Sequence, residues 1–175
     1  MLLRFFLALF LISFGIGSYN AFAQQYNFKT YTSKNGLGSS IVNCIYQDHR
    51  GDIWFGTQSG GISRFNGSSF KSFTRSNGLV GNDVTCITED QQGNIWIGTS
   101  DGVSKFNGTI FSNYNDSSGL EVNKGIYSIH VDYDGVVWLG SRGGGLIRMD
   151  KDGFQSFGKE HGLPSNNVFA ITQTK

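Results

Sequence analysis

Short stretches in which apolar and polar residues alternate run along most of this chain, separated by turn-forming residues. Ile41 to Gln47, Ile53 to Thr57, Ile62 to Asn66 and Phe70 to Thr74 each read as a strand, with one side turned to a core. Asp48-His49-Arg50-Gly51 joins the first two. Asn66-Gly67 joins the last two, and this pair favours a type I′ hairpin because both residues accept positive φ. A helical reading fails, since apolar residues do not recur at i, i+3, i+4 and i+7 and glycine is too frequent.

The four-strand pattern then repeats. Trp54, Trp96 and Trp138 stand 42 residues apart, inside Gly51-Asp52-Ile53-Trp54-Phe55-Gly56, Gly93-Asn94-Ile95-Trp96-Ile97-Gly98 and Gly135-Val136-Val137-Trp138-Leu139-Gly140. Asp48, Asp90 and Asp132 each precede a tryptophan by six residues. Gly-Leu pairs recur at Leu37, Leu79, Leu120 and Leu163, and the c–d turn returns as Asn107-Gly108 and Asp150-Lys151-Asp152-Gly153. Four antiparallel strands, a to d in chain order, in about 42 residues make one blade of a β-propeller. The predicted fold class is therefore all-β.

Partial copies flank the full ones. Phe28-Lys29-Thr30-Tyr31 matches strand d of later copies, such as Phe70-Lys71-Ser72-Phe73, and Val168 to Thr174 matches strand a. The expected organisation is a partial propeller over 24–175. It has an orphan strand d at 26–35, blades at about 36–77, 78–118 and 119–161, and the start of a fourth at 162–175. Closed propellers contain about 4 to 8 blades, so three full blades with an orphan strand at each end are expected to form an incomplete arc of a longer protein.

Residues 1–23 have another pattern. Arg4 precedes the apolar run Phe5 to Ile16, and Ala21-Phe22-Ala23 has the small-x-small form of a cleavage site, so a signal peptide ending at Ala23 is expected. A membrane anchor is the competing reading, but Ser13, Gly15 and Gly17 interrupt the run well short of the roughly 20 residues a span requires.

Composition narrows the function. A net charge of +1, with no basic run, excludes the electrostatic footprint of a nucleic-acid binder. With 25 glycines, one proline and 14% aromatic residues, the chain suits many short strands in tight turns rather than a disordered linker.

Candidate chemistry is sparse. His49, His130 and His161 lack metal-ligand spacing, and no nucleophile, base and orienter assemble, so no catalytic, metal or cofactor residue is assigned. Asp132-Tyr133-Asp134-Gly135 starts like a calcium loop but lacks the remaining ligands. Cys44 and Cys86 share one phase with Ser128 and Ala170, a slot for small side chains, and are expected to stay free thiols. The tryptophans could stack on sugars, but identical mid-strand positions in every blade favour packing between blades.

Length changes point to one rim. The b–c loop of copy two is one residue shorter than that of copy one, and the d–a loop of copy three is one longer; both connections share a rim. Repeat proteins place such changes on the face that binds. The non-repeating polar residues there are Gln58, Arg75, Asp101, Lys124, Arg142 and Asn167, with Arg142 favoured because Gly143-Gly144-Gly145 follows it.

The blade pattern resembles the two-component regulator propeller repeats: Gly-Leu, an apolar strand ending in Asp, Gly-x-Ile-Trp-Ile-Gly-Thr, then Gly-Val/Ile-x-x-Phe-Asn-Gly. Copy three departs from it at Val136-Val137 and at Met149-Asp150. The resemblance implies the extracytoplasmic, ligand-sensing part of a two-component-type signalling protein in the bacterial periplasm. It also implies glycan-derived signals, further blades, and a histidine kinase or other output domain outside this sequence, reached through membrane segments not present in it. A free-standing exported propeller that binds proteins as a scaffold is the alternative.

Overall fold

The computed structural model describes residues 27–121 and 125–174. The expected signal peptide and its cleavage residue Ala23 lie outside the described residues, as does Lys124. Three sheets of four antiparallel strands follow one another, each ordered as its strands occur in the chain. The first holds β1 (Val42–Gln47), β2 (Ile53–Thr57), β3 (Ile62–Phe65) and β4 (Phe70–Phe73). The second holds β5 (Val84–Glu89), β6 (Ile95–Thr99), β7 (Gly102–Phe106) and β8 (Phe111–Tyr114). The third holds β9 (Ile126–Val131), β10 (Val137–Ser141), β11 (Leu146–Asp150) and β12 (Gly153–Phe157). β1 runs beside β5, and β5 beside β9, so the first strands form the shared side of the arc.

Each sheet is covered on both faces where it has neighbours. β6 is buried along its whole length because it lies between the other two sheets. One core joins the first two sheets through Trp54, Ile62, Phe73, Val84, Ile97 and Phe106. A second joins the next pair through Trp96, Val103, Leu120, Ile126, Leu139 and Ile147. Full burial of one such aliphatic side chain stabilises by about 1.5–3 kcal/mol.

Two glycine landmarks have physical causes. Gly36, Gly78, Gly119 and Gly162 end short 3₁₀ turns with φ between 88° and 101°, the left-handed region that costs glycine little. The leucine after each of the first three is then buried in the core. Gly56, two residues after Trp54, pairs with Cys44 on β1, and a Cβ there would overlap Cys44 Sγ and lie 2.5 Å from Val84 Cγ1. Gly98 meets Cys86 and Ile126, and Gly140 meets Ser128 and Val168, in the same way. Glycine lets the first strand of the next blade cross at this point, which also explains the small side chains at Cys44, Cys86 and Ser128.

One expectation needs correction. Asn66 does not take positive φ, so the c–d connection is not a type I′ turn on Asn66-Gly67. Gly67 alone does so, at 91°, while the Asn66 side-chain oxygen accepts from the Ser68 and Ser69 amides at 3.0 Å. Among the described residues, the flanking partial copies contribute no strand to the three sheets. They keep their contacts between blades nonetheless. Tyr31 packs on Phe65 and Phe70 as Phe73 packs on Phe106 and Phe111, and Val168 crosses Gly140 as Val84 crosses Gly56.

Candidate recognition rim

The b–c loops and d–a connections meet along one rim, where they cross from blade to blade. The Gly61 amide donates to Asn82 O at 2.9 Å, and the Gly143 and Gly145 amides both donate to Asn166 O at 2.9 Å. Each b strand ends in a buried hydroxyl that closes its loop: Thr57 Oγ1 donates to Gly61 O at 2.8 Å, Thr99 to Gly102 O at 3.0 Å, and Ser141 to Gly145 O at 3.1 Å. The recurrent Gly-Thr or Gly-Ser after each tryptophan thus builds the rim on rigid strands.

The structure places the predicted rim residues in three groups. Arg75 and Asp101 form an ion pair at 2.7 Å between the first blade's d–a connection and the second blade's b–c loop. Arg142 forms an isolated β-bridge with Asn167, and its side chain is exposed. Gln58 lines a concavity of about 460 Å³ with Asn43, Asp83, Thr85 and Tyr127.

Those last four residues were missed by reading the sequence. Asp83 Oδ1 accepts from the Ser59 amide at 2.7 Å and from its hydroxyl at 3.2 Å. Ser59 is the one described non-glycine residue at positive φ, 59°, so the loop bends to meet the carboxylate. Asn43 Nδ2 donates to Val84 O at 2.9 Å, and Thr85 Oγ1 donates to Ile126 O. Tyr127 meets the Phe169 ring edge-on at 5.6 Å. The signal was available as phase: Asp83 stands where other copies carry Ile41, Gly125 and Asn167, and Tyr127 where they carry Asn43, Thr85 and Phe169.

The opposite rim is occupied by structure. Asp48 Oδ1 accepts from the Arg50 and Asp52 amides and Oδ2 from Trp54 Nε1 at 2.8 Å; Asp90 with Trp96 and Asp132 with Trp138 repeat the tryptophan bond at 2.9 and 2.8 Å. Burial works to raise the Asp90 carboxyl, but bonds from Asn94, Trp96 and Lys105 outweigh it and hold the group below its usual range. For Asp132 desolvation is likewise outweighed, by bonds from Trp138, Val136 and Asp134.

Histidines and cysteines are also committed. His49 pairs with Glu89 of the next blade, His130 faces Gln173 at 3.2 Å, and His161 Nδ1 accepts from the Gly158 amide at 3.2 Å to cap its turn. Burial pushes the Cys44 thiol up to about 11 and Cys86 up to about 12, which keeps both protonated and unreactive at neutral pH. Among the described residues no group of three or more His, Cys, Asp or Glu could hold a metal ion. No described helix is long and apolar enough to cross a membrane.

Known proteins resemble this arrangement. The family model described as two component regulator propeller matches residues 36–59, 78–101 and 119–143, one segment in each blade. The extracellular domain of a hybrid two-component system from B. thetaiotaomicron matches with a TM-score of 0.71 at 22% identity over 83% of this chain and 20% of that one. The extracellular domain of a one-component system from the same organism matches with a TM-score of 0.59 at 21% identity over 74% of this chain and 18% of that one. A streptogramin B lyase matches with a TM-score of 0.57 at 20% identity, over 74% of this chain and 43% of that one. At these identities the likenesses establish the fold, and the chain spans about a fifth of the extracellular domains it matches. No curated protein matches the sequence.

Proposed function

This chain belongs to the two-component regulator propeller repeat family, and from that premise we propose that it is an arc of the extracytoplasmic ligand-sensing propeller of a two-component-type signalling protein. The observation that carries this reading is the family repeat in each of three stacked blades. The arc acts by binding, without catalysis: its histidines and carboxylates serve caps, turns and contacts between blades, and its thiols are protonated. The streptogramin B lyase likeness lends the fold only.

Export to the periplasm follows from the apolar N-terminal run and the cleavage motif at Ala23. Further blades of the same chemistry would cover the outer side of the third sheet. The b–c and d–a rim is the recognition face, because the loops change length there and non-repeating polar residues gather there.

Fractionation of the native cell, with the mature N-terminus mapped by mass spectrometry, tests the placement. Periplasmic protein beginning at Gln24 is expected, and intact Met1 in the cytoplasm would overturn it. A reporter of the downstream response tests the rim: Arg142→Ala should blunt the response, and an unchanged response removes Arg142 from the site.

A further inference from the structure

The junction of the first two blades carries a chemistry that the other junctions lack. Ile41, Gly125 and Asn167 share the phase of Asp83 but carry no charge, so a carboxylate stands at this rim position only once among the four copies. Its Oδ1 is fixed by Ser59, while no described residue bonds Oδ2 or pairs with the carboxylate. Asp101, its neighbour on the rim, is neutralised by Arg75 at 2.7 Å.

The surrounding hydrogen bonds set the polarity of the space. Asn43 Nδ2 gives one of its two N–H groups to Val84 O and Thr85 Oγ1 gives its single proton to Ile126 O, leaving Asn43 Oδ1 and the Thr85 lone pairs as acceptors beside the second Asn43 N–H. With Asp83 Oδ2, the wall offers several acceptors and one negative charge. Gln58 supplies an amide, and Tyr127 supplies an aromatic ring held by Phe169. A carboxylate or phosphate ligand would face a like charge, whereas an ammonium group would meet a carboxylate and a tyrosine ring.

We propose that the concavity of about 460 Å³ between Asn43, Gln58, Asp83, Thr85 and Tyr127 binds a small ammonium-bearing ligand, with Asp83 as its counter-charge. The proposal rests on the same rim being the recognition face and names the ligand's charge class.

Calorimetry on the purified protein with glucosamine, glucose and glucuronate separates charge from ring shape. At mildly acidic pH, where the amine is protonated, glucosamine should bind saturably and the other two at least about tenfold more weakly. Asp83→Asn keeps an oxygen for Ser59, so the loop survives, and glucosamine affinity should fall about tenfold. Asp134→Asn, on the opposite rim, should leave it unchanged. Equal binding of glucose, preference for glucuronate, insensitivity to Asp83→Asn, or no binding of glucosamine would each overturn the proposal. If Asp83→Asn leaves the cellular response intact while Arg142→Ala abolishes it, the rim reading stands and this site alone falls.

Discussion

The junction between the first and second blades and the outer side of the third present the same side chains under different cover. Trp54 and Trp96 bond to Asp48 and Asp90, sit against the next sheet and are 2% and 4% exposed. Trp138 makes the same bond to Asp132 at 2.8 Å yet is only half-buried, and it borders an open concavity with His130, Leu146 and Ile171. The first blade shows the complementary deficit. Ile45 is 64% exposed on β1, while its counterpart Ile87 packs into the first core. Stacking, rather than the hydrogen bonds within a blade, therefore sets how deeply a tryptophan is buried.

Truncating the tryptophans should separate these environments most strongly. Trp54→Ala or Trp96→Ala should cost about 3–5 kcal/mol in urea unfolding, and Trp138→Ala roughly half as much. Equal costs would mean that packing within the sheet, and not the neighbouring blade, holds the ring.

The crossing glycines give a smaller contrast. Gly98→Ala places a Cβ against Cys86 Sγ and 3.1 Å from Ile126 Cγ2, atoms fixed on β5 and β9, and should cost about 1–3 kcal/mol. Gly140→Ala meets Ser128 on β9 as Gly98→Ala meets Cys86, but its other neighbour, Val168, lies in no described strand and can yield, so it should cost less in the same assay.

Acid should loosen the closed junction with a defined sign. The folded Asp90 carboxyl titrates below its usual value of 3.8, so its contribution is complete above about pH 4 and is lost as pH falls through the lowered value. Asp90→Asn should remove that part of the acid sensitivity, measured as the melting temperature between pH 5 and about pH 3.

Thiol labelling gives the smallest readout. With Cys44 raised to about 11 and Cys86 to about 12, both should react slowly with iodoacetamide at neutral pH until the protein unfolds. Rapid labelling of the folded protein would show that the first strands part more readily than the packing implies.

Particular residues show how far the fold could be read from sequence. The 42-residue phase located β2 at Ile53–Thr57 without error, and β1, β3 and β4 differ from expectation by one residue at one end. Alternation and turn chemistry are local, so they survive into the structure. The Asn66 turn was misjudged because its side chain could accept backbone amides, an alternative to positive φ that the dipeptide does not reveal. The six-residue interval from acid to tryptophan was visible, but its cause, a bond across the a–b turn, was not. Asp83 and Tyr127 were overlooked because their meeting depends on how adjacent sheets stack, which strand pattern alone does not specify. The same stacking brought Arg75 to Asp101 as an ion pair, a meeting the strand pattern does not reveal.

Hydrogen exchange at the three indole Nε1–H groups isolates the effect of cover, since each makes the same bond to an aspartate. Exchange should be slow at Trp54 and Trp96 and markedly faster at Trp138. Equal protection at all three would contradict an arc whose blades are held by stacking and whose third blade presents an open side.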